Sequence, residues 1–326
     1  MRMRFGLAAV AAISTLAWSA PGHSDTWPSR TITFVVPSSA GGGLDSLSRT
    51  LASEMGKQLG QTIIVDNRPG AVGMLGTQLV ARAKPDGYTV LVTHSAPLLN
   101  APFLFSKMSY DVRRDFTYVS ELFAGSLVLA VGKDVPASNM EEFLAWAAQN
   151  KGKVSYGSFG VGSLGHLMGA YLSQTKGLYM THVAYKGEAP MVQDLVGGQV
   201  QWAIASVGSL APHIAAGKLR AIAVLGDRRK EALPNVPTMA EAGLRDNEYK
   251  PFGWVGMLVP AGTPPEIVAR LEKTARIAVG STVMKARFQV FGMEPVASTQ
   301  AEFLQDFERT APMVERMVKI SGAKAE

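Results

Sequence analysis

Short β-branched runs alternate with apolar segments at helical spacing along most of this chain, and that alternation admits few folds. Thr31-Ile-Thr-Phe-Val-Val36 has the composition of a buried strand. After a loop from Pro37 to Gly43, Leu44, Leu47, Leu51, Met55 and Leu59 recur at helical spacing, and Gly60 ends the run. A strand over 63–65, a helix over 74–83, a turn at Pro85-Asp-Gly87 and a strand over 88–92 follow. After a break the pattern resumes, with strands over 127–131, 154–156, 180–185, 200–205 and 219–225 and helices over 140–149, 163–175, 190–196 and 210–216 between them. Such alternation predicts an α/β fold with mostly parallel sheets flanked by helices. Beyond a strand over 254–259 the tail is helical (265–279, 283–291, 301–320), and helices without strands between them must bury their apolar stripes on an existing domain. We expect them to return to the first lobe. That gives lobe 1 as 25–124 plus 250–326, with 125–249 inserted as lobe 2.

The first residues set the compartment. Arg2 and Arg4 precede Phe5 to Trp18, a charge-free run of apolar and small residues. It falls short of the roughly 20 residues that span a bilayer and has the length and flanks of a secretory signal. Small-x-small cleavage positions end at Ser19 and Ser24; the second, closer to the first strand, makes 1–24 the signal peptide. No later apolar run is long enough to cross a membrane, so the mature chain is expected to be soluble and periplasmic. The absence of cysteine suits an oxidising compartment and removes thiolate chemistry. The formal charge of +6 is scattered; its densest run, Arg228-Arg229-Lys230, reads as a solvated loop. Nucleic acid would need a continuous basic face, so it is not an expected partner.

Two loops carry the candidate chemistry. Pro37-Ser-Ser-Ala-Gly-Gly-Gly-Leu-Asp45 joins a strand to a helix. Glycines there let the backbone approach a ligand, and the helix offers free N–H groups and its positive end to an anion. A plain tight turn capped by Asp45 is the competing reading. Tyr156-Gly-Ser-Phe-Gly-Val-Gly-Ser-Leu-Gly-His166 repeats the design, with Ser163 placed as an N-cap. Gly160-x-Gly162-x-x-Gly165 matches a dinucleotide fingerprint letter by letter. It lacks the acid at the end of the next strand, however: Glu188, the nearest, lies beyond a glycine. No cofactor is expected. Gly-x-Ser-x-Gly and the P-loop are absent, and the histidines show no metal-ligand spacing, so neither catalytic residues nor a metal site are expected. His166 reads as a packing or hydrogen-bonding histidine. Ligands of open parallel sheets bind outside the carboxyl ends of strands. Two glycine loops facing each other there would suit a small anion.

The chain resembles the Bug family, the periplasmic substrate-binding receptors of tripartite tricarboxylate transporters. The matching stretches run in order through nearly the whole mature chain. They include Val36-Pro37 with Gly41-Gly42 and Asp45, Asp66-Asn-Arg-Pro-Gly-Ala71, and Pro85-Asp-Gly-Tyr-Thr89. Tyr156-Gly-Ser158 with Gly160-Val-Gly-Ser163, His182-Val-Ala-Tyr-Lys-Gly187, Asp194-Leu-Val-Gly-Gly-Gln-Val200 and Ala232-Leu-Pro-Asn-Val-Pro-Thr238 continue the series. The resemblance implies a two-lobed, flytrap-like periplasmic-binding-protein fold that closes on a carboxylate, held by loops of both lobes largely through backbone groups. It implies Ser38, Ser39, Gly41, Gly42 and Asp45 on one side, facing Ser158, Gly160, Gly162 and Ser163, with His94, Ser95 and Ser206 as weaker candidates. Leu44 and Phe159 depart from the family pattern. Either could make the pocket more apolar, favouring an aromatic or longer acid, or point into a lobe core. The implied partners are a small organic acid and the membrane permease subunits of a tripartite transporter, for a receptor that acts as a monomer. A sensory partner of a membrane kinase and an exported hydrolase are the rival readings.

Overall fold

The computed structural model describes residues 27–324; the signal peptide expected over 1–24 lies outside them. The first half of the chain forms β1 (Ile32–Val36), α1 (Gly43–Leu59), β2 (Ile63–Asn67), α2 (Met74–Ala81), β3 (Thr89–His94), α3 (Ala96–Leu99), α4 (Ala101–Leu104) and β4 (Phe116–Gly125). Then come β5 (Leu127–Gly132), α5 (Met140–Gln149), β6 (Ser155–Ser158), α6 (Leu164–Thr175), β7 (Thr181–Ala184), α7 (Glu188–Val196), β8 (Trp202–Ser206), α8 (Val207–Ala215) and β9 (Leu219–Val224). The tail supplies β10 (Trp254–Pro260), α9 (Pro265–Val279), α10 (Thr282–Phe291), β11 (Met293–Pro295) and α11 (Gln300–Ser321). One sheet has the order β11-β4-β10-β3-β1-β2 and the other β7-β6-β8-β5-β9.

The expected mostly parallel sheets are mixed. β1 pairs parallel with β2 and β3, and β6 with β7 and β8, whereas β10, β11 and β5 run antiparallel to their neighbours. The cause lies in how the chain passes between sheets. β4 leaves the first sheet at Gly125 and β5 enters the second at Leu127, with Ser126 alone between them. A strand that enters a sheet from the edge where its neighbours leave must oppose them. β10 enters at Trp254, opposite Ala124, and β11 at Met293, opposite Gly125.

This register places the carboxyl ends of β1, β2, β3 and β4 at one edge of the first sheet, and those of β6, β7, β8 and β9 at one edge of the second. Ser126 joins the two edges. Its N–H donates to the Gly292 carbonyl at 3.0 Å, and its carbonyl accepts from the Val207 N–H at 2.8 Å, so the junction is fastened to both sides.

The break in the sequence pattern holds α3, α4 and the ten-residue β4. Ser120 and Glu121 interrupt the apolar run of β4, but Val119, Leu122 and Phe123 are fully buried beneath α9 and α10. The helices α9 and α10 pack with α1 on the first sheet, as their apolar stripes require. Helix α11 divides its contacts. Phe303, Phe307 and Ala311 join a core with Tyr118, Trp254 and Leu258 of the first sheet, while Met313, Val314, Met317 and Val318 join the core of the second with Trp202 and Leu172. Pro312, which has no N–H to give the preceding turn, stands at the handover.

Candidate functional site

At the first sheet's edge, α1 begins with nothing capping it. Gly42, its N-cap, has no side chain to bond the helix, and the N–H groups from Gly43 to Asp45 give no hydrogen bond to a described residue. Gly41 and Gly42 are exposed, so this positive helix end meets solvent. The turn needs Gly41, whose φ is +82°, but Gly42 has φ −76° and a side chain there would meet only the Ser39 carbonyl, at 3.5 Å.

Asp45 holds this loop in shape. Its Oδ2 accepts from the Gly41 N–H at 2.8 Å, and its Oδ1 accepts from Asn67 Nδ2 at 3.0 Å and pairs with Arg49 at 2.9 Å. Burial pushes this carboxyl up, but the hydrogen bonds from Arg49, Gly41 and Asn67 and the charge of Arg49 outweigh it, holding Asp45 below its ordinary range. With 4% exposure and both oxygens engaged, Asp45 shapes the loop. Asn67 Nδ2 also donates to the Ser38 carbonyl at 3.2 Å. Ser39 is exposed, and the Ser38 hydroxyl is buried without a hydrogen-bond partner.

His94 and Ser95 follow β3 at the same edge. The Ser95 N–H donates to the Trp254 carbonyl at 2.8 Å. His94 Nδ1 is buried without a partner, and burial lowers the affinity of the ring for a proton. A Cβ on Gly73 would lie within 3.6 Å of the His94 ring and of Pro37, so this histidine lies close to the first loop.

The second loop is braced from below. Ser158 is fully buried; its hydroxyl donates to the Gly160 carbonyl at 3.0 Å and lies 2.6 Å from His182 Nε2. His166 Nδ1 accepts from the Gly162 N–H at 3.0 Å, and the two imidazoles stack with centroids 3.6 Å apart. Ser163 caps α6 through the His166 N–H, as expected. Burial pushes the pKa of His166 down to about 4, and burial together with His166 pushes His182 to about 4. Unfolded histidine titrates near 6.5. Between these values the unfolded chain takes up protons that the folded one refuses, so the stability these rings contribute is fully present above about pH 6.5 and declines as pH falls towards 4. His94 acts in the same direction. Urea unfolding should therefore show a midpoint that falls between pH 7 and pH 5, and a combined His166→Gln and His182→Gln variant should show a shallower fall. A midpoint flat over that range would contradict the neutral, buried pair.

The second loop is reached from the first sheet through α3 and α4. Asn100 Nδ2 donates to the Gly162 carbonyl at 2.7 Å, and Leu104 packs so tightly that a Cβ on Gly162, whose φ is +73°, would lie 2.4 Å from it. Asn100 Oδ1 is buried without a partner. No local pattern marks this residue, because its partner stands 62 positions away. On the other side, Phe291 and Gly292 separate two helix starts. A Cβ on Gly43, the first residue of α1, would lie 3.3 Å from Phe291, and one on Gly208, near the start of α8, 3.4 Å from Gly292. A cavity of about 890 Å³ beside Ser126 is lined by Val207, Gly208, Gly292, Met293 and the basic run Arg228-Arg229-Lys230, but by neither glycine loop. In that basic run Arg228 and Arg229 are exposed, as expected of a solvated loop, whereas Lys230 is half-buried and pairs with Glu294 of β11 at 2.9 Å.

Ser206 caps α8, but its donors are taken. Its N–H and hydroxyl both donate to Glu188 Oε1, at 2.8 and 2.7 Å. Leu44 and Phe159 are half-buried and pack against the first and second cores respectively.

Residues 47–320 match the family model described as "Tripartite tricarboxylate transporter family receptor". Protein BugT of Bordetella pertussis is 34% identical over 288 residues, which cover 88% of this chain and 88% of BugT. A Rhodopseudomonas palustris protein solved with adipate is similar at a TM-score of 0.76 and 32% identity, covering 91% of this chain and 99% of that one. MatC of the same species, solved with bound malate, is similar at a TM-score of 0.71 and 31% identity, covering 90% of this chain and all of that one.

Proposed function

The chain belongs to the tripartite tricarboxylate transporter receptor family, and from that footing we propose that it is an exported receptor that captures a small carboxylate between two lobes and delivers it to the membrane subunits of such a transporter. The lobes of this reading divide near Ser126 and near residue 250, with α11 tied to both. The signal peptide over 1–24 would be removed on export to the periplasm. One observation carries the proposal: the carboxyl edges of both sheets meet at Ser126, and the start of a seventeen-residue helix stands bare at one of them. Such a helix end offers N–H groups and positive potential to an anion. The buried, unpartnered Ser38 hydroxyl lies in the loop that leads into this helix and supports it. The adipate and malate held by similar proteins are small carboxylates, the broad class proposed here. Closure draws its energy from contacts the ligand makes only when both edges reach it.

Purified protein should show saturable calorimetric binding of at least one acid from a panel of mono-, di- and tricarboxylates, aromatic ones included, and none of its neutral amide. At 100 times its dissociation constant that acid should add about 2.7 kcal/mol to stability. A panel that leaves both heat and melting temperature unmoved would sink the reading.

A further inference from the structure

Resting on the receptor reading, we infer that Glu188 sets the chemical class of the ligand, excluding dicarboxylates and favouring a carboxylate whose far end carries a cationic or hydrogen-donating group. Two helix starts converge on the Phe291-Gly292 turn from opposite sheets. That of α1 has no side-chain cap. That of α8 carries the same kind of donors, the Ser206 N–H and hydroxyl, and a carboxylate already fills them: the side chain of Glu188, at 2.8 and 2.7 Å. Glu188 comes from the first turn of α7, directly after the carboxyl end of β7, so the acid reaches its place along the facing edge of the second sheet. It is half-buried and makes no ion pair among the described residues, and its Oε2 accepts no hydrogen bond from them.

The consequence is electrostatic. A dicarboxylate with one end on α1 would bring its second carboxylate towards a fixed carboxylate of the protein, and the donors that could have received it are occupied. Like charges so placed repel, and neither has water enough to screen it once the lobes close. An ammonium or hydroxyl at the same position would find Oε2 as an acceptor. Adipate and malate, present in two similar structures, are therefore ligands this chain should disfavour.

The test uses three chain-matched pairs: 4-aminobutanoate with succinate, 5-aminopentanoate with glutarate, and 6-aminohexanoate with adipate. In at least one pair, wild-type protein should bind the amino acid tenfold or more tightly than the diacid. Glu188→Gln keeps an oxygen that can accept from Ser206 but removes the charge; it should shrink that ratio at least fivefold. Glu188→Ala frees the Ser206 donors and should raise diacid affinity further, so the two variants check each other if either melts early. An unchanged ratio in both variants, or a wild-type preference for the diacid in every pair, overturns the role of Glu188 and leaves the receptor reading standing. Wild-type protein that binds no carboxylate of any kind overturns both.

Discussion

Gly42→Trp should bind carboxylate at least a hundredfold more weakly than wild-type protein while melting within a few degrees of it. The fold tolerates the change for a reason visible in the backbone. Gly42 has φ −76° and ψ 174°, extended values open to any residue, and its Cβ would meet only the Ser39 carbonyl at an ordinary 3.5 Å. Its neighbour Gly41 differs: φ is +82°, so the same substitution there would strain the turn and confuse folding with binding. An indole at position 42 stands directly over the start of α1 and shuts a ligand away from the N–H groups of Gly43 to Asp45. Hydrogen bonds to a charged group are worth about 1.5–3 kcal/mol each. Losing two of them costs about 3 kcal/mol or more, roughly two decades of affinity. Calorimetry on the acid bound by wild-type protein measures the loss, and a thermal melt confirms the fold. Affinity within threefold of wild type would mean that the anion does not sit on α1.

Much of this architecture was legible in the sequence because period and punctuation are local. Leu47, Leu51, Met55 and Leu59 face one core, and Gly60 ends α1 in the left-handed conformation, as the spacing implied. What escaped was set by distant partners. Strand direction in β5 and β10 follows from where the chain crosses between the sheets, at Ser126 and again before Trp254, which no local pattern encodes. β4 was hidden by Ser120 and Glu121: the Ser120 hydroxyl donates to the Ser298 carbonyl at 2.7 Å, and the Glu121 N–H donates to the Ser298 hydroxyl at 2.8 Å, so this hydroxyl and this N–H in mid-strand find their partners 177 residues or more away. The two glycine loops were readable, but their free donors were not. Asp45 is engaged by Asn67, and Ser206 by Glu188. The residue rejected as the acid of a dinucleotide site thus returns as the carboxylate that fills a helix start.

Phe303→Ala should destabilise the protein by about 3–5 kcal/mol, the cost of removing a large aromatic ring from a core that cannot collapse around the void. Phe303 is fully buried near the start of α11. Its ring lies 4.7 Å from that of Trp254 and 5.0 Å from that of Tyr118, edge to face in both cases. The fit extends to the backbone: β10 carries Gly256 opposite the ring, where a Cβ would lie 2.5 Å from the tip of Phe303. With rigid strands on both sides, the hole left by alanine stays open. Phe303→Leu, which refills part of it, should cost less than half as much. The consequence reaches beyond the first sheet, because Met313 to Val318 of the same helix lie in the core of the second. Freeing the first turns of α11 loosens a tie between the lobes that Ser126 alone does not replace. Urea unfolding of both variants measures the effect, and a Phe303→Ala cost below about 1 kcal/mol would mean that α11 is held chiefly by its second half.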